Sequence, residues 1–487
     1  MLKRIGAEES GEFKAVASGT LPCGKPVIVN ADGTVSVIVA SSATESLGSQ
    51  AGIAANTSGF TNVVYDSNAN KFLVVYKASN NYGKCMVATI DTSDNSLSFG
   101  SEATFNSGTT NDIAVAFDST NNKVVIAYRD NSNSNYGVAI VGTISGTSIS
   151  FGTEVVFASN NVSALEEGIA YDSSNQRIVI GYRDNTNTKG SAIVGTVSGT
   201  SISFGSSVNF RNGTTNAPSV SYNSVQNKVL ICYGAATSSG QGIVGTVDSS
   251  DNSISFGDAA TFISGEATYI DLIYSSSLDK HILVYNDGSD SNNGKVRTAT
   301  ISGTDVSFGT AVDFETEIAN YSEVAFDETA KKFVIFYTDG SGGGNADKVY
   351  YVTGSISGTG VTVSSRVSVD TTAASQYTTV AVNGSGQALL AYVKGGTSGD
   401  IKSYALQIGY NNTTLTSENY IGISRSGAAS GAGAIIDTQG AIADNLSGLT
   451  AGQSYFVQTD GTLGTTAADP SVFAGTAVSA TKLIVKG

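Results

Sequence analysis

The sequence contains little of what metal enzymes and nucleic-acid-binding proteins need. Of its 487 residues, one is histidine, none is tryptophan, four are proline and three are cysteine. A single histidine, His281, cannot build a multi-histidine metal site or a repeated acid–base apparatus. Charged residues make up only 14% of the chain, and 26 basic against 41 acidic residues give a net charge of −15. Without a basic run, that balance excludes a nucleic-acid clamp.

Membrane insertion, disulfides and secretion are disfavoured for similar reasons. The chain is 40% hydrophobic, so we expect a buried core, but it has no long uninterrupted apolar segment and we expect no membrane insertion. Cys23, Cys85 and Cys232 are odd in number and far apart, which predicts neither a disulfide framework nor a metal site. The charged N-terminus lacks the apolar segment of a secretory signal. We expect synthesis in the cytoplasm, and any surface role to follow assembly into a particle released by lysis.

A repeat of 52 or 53 residues fills the centre of the chain, marked by the string S-[ILV]-S-F-G or a near variant. Each copy holds short runs rich in Val, Ile, Phe and Tyr, separated by Asn, Gly, Ser and Asp, which is typical of strands and hairpin turns. Four such strands per copy predict an all-β, seven-bladed β-propeller of four-stranded blades rather than a β-solenoid with shorter coils. Seven tyrosines, each closing an apolar run, count the copies: Tyr76, Tyr128, Tyr182, Tyr233, Tyr285, Tyr337 and Tyr392.

The repeat boundaries predict three domains. Residues 1–58 are an N-terminal β element with a ring-closure strand, residues 59–420 the propeller, and residues 421–487 a small C-terminal β domain. For the strand that completes blade seven, the sequence leaves two candidates open, residues 32–39 and residues 413–417.

The two chain ends share a pattern outside the ring. L-x-x-G-x-x-x-x-V-x-x-D-G-T begins at Leu21 and again at Leu449. A D-G pair between apolar runs is a strong hairpin signal. We therefore predict that the hairpins at Asp32 and Asp460 belong to one small β module or to two equivalent ones.

Two repeated side-chain patterns are predicted to be structural. At the first turn of each blade, an Asp, Asn or Ser precedes a Lys or Arg by five residues, and we interpret the first member as the initiator of an Asx-type turn. We expect each repeated tyrosine to be buried with its hydroxyl on a backbone carbonyl. The turn pairs are Asp66 and Lys71, Asp118 and Lys123, Asp172 and Arg177, Asn223 and Lys228, Ser275 and Lys280, and Asp327 and Lys332.

The loops after the second strand of each blade vary, whereas the opposite turns repeat, so the variable loops are the predicted ligand face. Arg and Tyr anchor contacts well, and Asp carboxylates accept paired bonds from sugar hydroxyls. No cofactor is predicted, although the oxygen-rich sets at 130–134 and 287–290 leave Ca²⁺ open without matching a full EF-hand loop. The predicted ligand-binding residues are Arg129, Asp130, Tyr136, Arg183, Asp184, Asp287, Asp290 and Asp339.

The sequence favours a non-enzyme. No nucleophile elbow precedes a helix, and a single histidine serves no triad convincingly. A glycan hydrolase is the alternative, since two carboxylates suffice for glycoside hydrolysis. Four glutamates near blade crossings are available for it, but their spacing singles out no pair: Glu166, Glu167, Glu317 and Glu323.

The ending GLTAGQSYFVQTDGTLGTTAADPSVFAGTAVSATKLIVKG resembles the C-terminal ends of structural and tail-fibre proteins of tailed bacteriophages, particularly those of marine bacteria and cyanobacteria. The opening SGTLPCGKPVIVNADGTVSVI resembles the matching N-terminal element. The resemblance implies a virion protein, a tail fibre or other appendage, assembled as a homo-oligomer with other virion proteins. Its expected role is attachment to host-surface polysaccharide or particle assembly. The alternatives are a capsid decoration protein without a receptor role and a glycan depolymerase.

Overall fold

A computed structural model describes residues 4–6, 11–54, 57–236, 238–340, 348–371, 375–395 and 399–486. Contacts divide the chain into two compact units, Thr44–Ile408 and the combination of Met1–Ala43 with Gly409–Gly487. The described residues fold almost wholly into antiparallel sheets, with one 3₁₀ turn at Asn131–Asn133. None of these residues belongs to a helix long and apolar enough to cross a bilayer.

The larger unit consists of seven antiparallel blades in which consecutive strands pair through short turns. The innermost strands, from blade one to blade seven, are Thr57–Asp66, Thr110–Asp118, Ile169–Asp172, Thr215–Asn223, Ala267–Ser275, Val312–Asp327 and Ser375–Val382. The second strands are Lys71–Ala78, Lys123–Asp130, Arg177–Asp184, Lys228–Ala235, Lys280–Asp287, Lys332–Asp339 and Gln387–Lys394. The third strands are Gly83–Ile90, Tyr136–Ser145, Lys189–Ser198, Gly240–Asp248, Asn293–Ser302, Lys348–Ser357 and Asp400–Gln407.

The outer edge of each blade is split into two short segments that both pair with the third strand. The first segments of blades one to six are Leu97–Phe99, Ser148–Phe151, Ser201–Phe204, Ser253–Phe256, Asp305–Phe308 and Gly360–Val363. The second segments are Ala103–Asn106, Val155–Ala158, Val208–Asn212, Ala260–Ile263, the start of Val312–Asp327, and Val367–Asp370. Val312–Asp327 therefore runs from the edge of blade five into the centre of blade six.

The innermost strands form a closed circle. Each contacts the innermost strand of the next blade, and that of blade seven contacts that of blade one. Apolar residues on facing blade surfaces fill the spaces between blades, as in the cluster that joins Leu73 and Val75 to Ile113 and Ile126. The prediction of an all-β propeller is confirmed.

The N-terminal segment completes blade seven, although not with the residues that the sequence suggested. Ser46–Leu47 and Ala51–Ala54 pair with Asp400–Gln407. Both sequence-based candidates for this strand are wrong, since 32–39 and 413–417 lie in the terminal unit. Ser46 is exposed and Leu47 half-buried, so this edge shows little of the apolar alternation by which strands are found.

Both chain ends build the smaller unit, which corrects the prediction of separate domains at 1–58 and 421–487. Its first sheet has the order Arg4–Gly6, Glu12–Val16, Gly433–Asp437, Tyr420–Ser424, Pro26–Val29, Val35–Val37. Its second sheet has the order Ile442–Ala443, Lys482–Val485, Val472–Ser479, Ser454–Val457, Leu463–Gly464. Ala40–Ala43 pairs with Tyr410–Thr413.

The two D-G turns lie in this single unit, which confirms that they belong to one small module. In each, the Asp carboxylate accepts hydrogen bonds from the backbone amide and hydroxyl of the Thr two residues on, Thr34 after Asp32 and Thr462 after Asp460. The intervening glycines have φ of 81° and 76°, a region that glycine adopts without strain. Ile28 and Val457, which lie just before the two turns, share one apolar cluster.

The repeated tyrosines are buried as predicted, with exposures of 0 to 2%. Their hydroxyls, however, meet side chains rather than the expected backbone carbonyls. Tyr76 donates to Glu102 over 2.6 Å, and Tyr128 donates to Glu154 over 2.8 Å. Strand pairing already occupies the neighbouring carbonyls, and in these two blades the partner lies at the outer edge of the blade.

The first-turn residues behave as predicted. Asp66 accepts hydrogen bonds from the amides of Asn68 and Ala69, and Asn223 accepts them from Val225 and Gln226. Asp118, Asp172 and Asp327 do the same in their blades. The interpretation as Asx turns is confirmed.

Replacing His281 with Leu should stabilise the protein, and more so in acid. His281 is fully buried, neither ring nitrogen has a hydrogen-bond partner, and its ring lies 5.0 Å from that of Tyr274. Burial lowers the pKa of His281 to about 3. A pKa below the unfolded value means that stability is lost as pH falls below about 6.5, by about 2 kcal/mol at pH 5.

Thermal melts at pH 7 and pH 5 test this expectation. The melting temperature of His281→Leu should exceed that of the wild type at both values, with the larger gap at pH 5. If His281→Leu instead melts below the wild type by the same amount at both pH values, the imidazole makes a stabilising polar contact.

Candidate functional site

The innermost strands carry a repeated bulge that aims one residue per blade toward the propeller axis. The strand register shifts at this point in five regular blades. The bulged residue has left-handed backbone angles, with φ between 41° and 53°, which is uncommon outside glycine and is often found at functional sites. The bulged residues of blades two, four, five, six and seven are Asp112, Ala217, Tyr269, Tyr321 and Tyr377.

A cavity of about 300 Å³ lies on the axis, and the three bulged tyrosines form one wall of it. The ring centroid of Tyr321 lies 5.0 Å from that of Tyr269 and 4.9 Å from that of Tyr377. The next blade holds the bulge in place, because the hydroxyl of Thr378 donates to the Tyr321 carbonyl and that of Thr61 donates to the Tyr377 carbonyl over 2.5 Å. The aromatic wall is therefore preorganised.

The cavity lies at the end of the blades that carries the variable loops. Its lining residues Asn216 and Thr268 stand near the start of their innermost strands. Those starts pair with the ends of the second strands, as in Thr215 opposite Ala235 and Ala267 opposite Asp287. The variable loops begin at these ends of the second strands, so they lie at the same end of the blades as the cavity.

Blade three departs from the repeat and supplies two carboxyl groups to the cavity. Its innermost strand is interrupted between Val162–Ser163 and Ile169–Asp172. The interruption places Glu166 and Glu167 in the cavity wall. Asn62 of blade one donates to the backbone carbonyl of Glu166 over 2.8 Å and to Oε1 of Glu167 over 3.3 Å.

Two further carboxyl groups face Glu167 across the axis, and we call Glu167, Asp271 and Glu323 the axial acid cluster. Asp271 Oδ1 accepts from the Leu272 amide over 2.6 Å and from the Ser219 hydroxyl over 3.2 Å. The amide of Val324 bonds to Asp271 Oδ2 over 2.8 Å, and that of Val380 to Glu323 Oε2 over 3.0 Å.

A second axial cavity, of about 430 Å³, lies beyond the acid cluster, and Glu167 and Glu323 line both cavities. Its other lining combines apolar residues with polar atoms. The residue just before the first turn of each of six blades, always an aromatic one, is among the lining residues: Tyr65, Phe117, Tyr171, Tyr222, Tyr274 and Phe326. The acid cluster therefore lies between the two axial cavities.

Burial and mutual repulsion keep the axial acid cluster partly protonated. Burial raises the pKa of Glu167 well above its usual range, and the carboxyls of Glu323 and Asp271 raise it further. Burial, with Asp271, raises the pKa of Glu323 to about 8, and burial raises that of Asp271 to about 6. Glu167 and Glu323 lie near enough for one proton to be shared between their carboxyls, which relieves their mutual repulsion.

The positive groups near the axis gather at Asp112. Arg129 Nε lies 2.8 Å from Asp112 Oδ2, and Lys77 Nζ donates to Asn111 over 2.7 Å. Burial, followed by the neighbouring Glu166, raises the pKa of Asp112 well above its usual range. Across the described residues, no group of three His, Cys, Asp or Glu side chains has a geometry suited to a metal ion. The axial carboxyl groups thus outnumber the cations beside them.

Four of the predicted ligand residues lie in the layer behind the cavity wall. Arg129 pairs with Asp112, as described above, and Arg183 Nη1 donates to Asn216 over 3.3 Å. Asp130 and Asp184 are buried, and each accepts a hydrogen bond from a backbone amide of its own loop. Of these side chains, Arg183 contacts a residue of the cavity wall, and none of the four is among the lining residues described for the cavity.

The other four predicted residues lie elsewhere on the loop face. Tyr136 is half-buried against the core between blades one and two. Asp287 accepts from the Ser289 amide over 2.9 Å, and Asp290 pairs with Lys295 over 2.5 Å. Asp339 lies 3.2 Å from Arg366. Their binding role stays a prediction, and parts of the variable loops, residues 341–347 and 396–398, lie outside the described residues.

Sequence reasoning named three of the axial glutamates but could not pair them. The structure brings Glu166, Glu167 and Glu323 together, while Glu317 is not among the lining residues described for either cavity. Sequence reasoning did not find the tyrosine wall or Asp271. An alignment of the repeats would reveal the three tyrosines, because each stands six residues before the first-turn residue of its blade.

Comparisons with known proteins add a fold likeness only. No protein-family model and no curated protein matches the chain. Among solved structures, the chain is similar to the crystal structure of a protein from Lactobacillus plantarum, at 13% sequence identity and a TM-score of 0.45. The similarity covers 64% of this chain and 86% of that one. The resemblance of the chain ends to phage virion proteins stays a prediction.

Proposed function

We propose that the protein is a recognition module whose propeller binds a small ligand, or one residue of a surface glycan, in the axial cavity of about 300 Å³. The observation that carries the proposal is this cavity, with its wall of three tyrosines in tilted contact and its glutamates. Small-molecule sites are concave and largely aromatic or apolar, with a few convergent polar groups. Strained bulges that repeat around the axis support a preorganised site.

The chain ends suggest the setting for this module. Their resemblance to phage structural proteins supports a virion appendage, a tail fibre or similar part, assembled with other virion proteins. In that setting the propeller recognises a component of the host surface, and the unit built from both chain ends serves as the attachment element. A capsid decoration protein is the variant of this proposal in which the ligand belongs to the particle.

A glycan hydrolase is the second candidate, because Glu167 and Glu323 form a carboxyl pair on the axis. Retaining glycosidases hold their two carboxyls roughly 5–5.5 Å apart and inverting enzymes hold them farther apart, whereas these two lie near enough to share a proton. The geometry therefore favours binding over hydrolysis.

A glycan array tests the proposed function. We expect the labelled protein to bind at least one bacterial surface glycan, and Tyr321→Ala to weaken that binding at least tenfold by removing the central ring of the wall. Tyr82→Ala, which removes an exposed tyrosine from the loop of blade one, is the matched control and should leave binding unchanged.

Two results would contradict the proposal. Binding that survives Tyr321→Ala but is lost on changing Asp287 and Asp290 would move the site to the outer loops. Release of reducing sugar by the wild type, abolished by Glu323→Gln, would favour the hydrolase.

A further inference from the structure

We infer that the ligand of the axial cavity carries an ammonium group, which takes its place between the axial acid cluster and the tyrosine wall. The inference rests on the proposed function and adds the chemical class of the ligand. Amino sugars and simple ring amines share this chemistry.

The first argument is the balance of charge. Five carboxyl groups approach the axis, those of Asp112, Glu166, Glu167, Asp271 and Glu323. The cations beside them, Arg129 and Lys77, stand at Asp112. Glu166, Glu167 and Glu323 line the cavity itself. No lysine or arginine is among the lining residues described for the cavity, so an anionic ligand would find no counter-charge there, whereas a cationic one would favour the ionised form of the glutamates.

The second argument is the opposite wall. Tyr269, Tyr321 and Tyr377 lie in a row within the same cavity, with neighbouring rings in tilted contact. A cation over a tyrosine ring is attracted by its π electrons, and the attraction strengthens where water is excluded. The combination of carboxyl groups on one side and aromatic faces on the other suits an ammonium group.

Binding should release a proton. Glu167 and Glu323, which both line the cavity, share a proton in the free protein, and an ammonium group can take over its role by bonding to both carboxylates. As long as the ligand amine stays protonated, affinity should therefore rise with pH, by up to about tenfold per unit for one released proton.

Isothermal titration calorimetry with three probes tests the inference. Glucosamine and glucose differ only in the ammonium group, and cyclohexylamine keeps a ring ammonium without hydroxyls. We expect glucosamine to bind at least tenfold more tightly than glucose, with proton release visible as a heat that depends on the buffer. Binding by cyclohexylamine would assign the recognition to the ammonium group alone, and its failure beside glucosamine would assign it to an amino sugar.

Two variants test whether glucosamine binds at the axial acid cluster. Glu323→Gln keeps an acceptor for the Val380 amide but removes the charge, and it should weaken glucosamine binding at least tenfold and abolish proton release. Glu154→Gln, a carboxylate on the outer edge of blade two that accepts from Tyr128, is the control and should change neither.

Failure of the ammonium inference can be distinguished from failure of the proposed function. Equal binding of glucose and glucosamine, or no binding of either amine, overturns the ammonium inference, even where the glycan array still shows binding that depends on Tyr321. Loss of that dependence overturns the proposed function itself.

Discussion

A fragment of residues 44–408 will fold by itself, whereas a fragment of residues 55–408 will melt at least ten degrees lower or aggregate. The shorter fragment lacks the two segments that complete the outer edge of blade seven. It also loses Ile53, which packs with Leu389 and Val393 between blades seven and one. Removing this edge strand opens the ring and leaves a blade edge unpaired, which costs several buried hydrogen bonds and invites aggregation.

Circular dichroism melts of the two fragments measure the difference. The terminal unit is missing from both, so they differ only in the closing segment. Equal melting temperatures would show that the ring does not depend on that segment. A propeller that begins at residue 59, the boundary predicted from the sequence, would lack this closing segment.

Glu323→Gln will raise the melting temperature at pH 8.5 by several degrees and leave it almost unchanged at pH 5. Burial beside Asp271 raises the pKa of Glu323, so the folded state holds this proton more tightly than the unfolded state does. Stability is therefore present below the unfolded pKa, near 4.5, and is lost as pH rises toward 8, by on the order of a few kcal/mol. The neutral amide avoids that loss.

Melts between pH 5 and pH 8.5 test this prediction, with Glu154→Gln as the control. The wild type should lose stability over this range, and the Gln variant should lose less. A variant that melts below the wild type at pH 8.5 would mean that the Glu323 carboxylate is charged and stabilising in the folded protein.

The blades could be predicted from the sequence because their pairing is local. Each meander joins strands such as Lys123–Asp130 and Tyr136–Ser145, whose apolar runs and bounding turn residues lie within one repeat. Ring closure could not be predicted from the sequence. It joins Ser46–Leu47 to a strand some 350 residues away through a short, half-exposed edge.

The candidate site was hidden for a related reason. Asn62, Glu167 and Glu323 belong to three different blades and meet only because the ring closes around its axis. The interruption in blade three reads in sequence as an ordinary polar loop. Asp130 and Asp184 were prominent in the sequence, yet the structure buries them as acceptors within their own loops.

A crystal structure of the full chain soaked with glucosamine at pH 6.5, where its amine is protonated, tests the central claim, that the axial cavity is the binding site, most directly. The account predicts sugar density on the axis, with its ammonium group within hydrogen-bond distance of Glu167 or Glu323 and its ring against Tyr321. An empty axial cavity, with the sugar bound at the outer loops near Asp287 and Asp290, would contradict it.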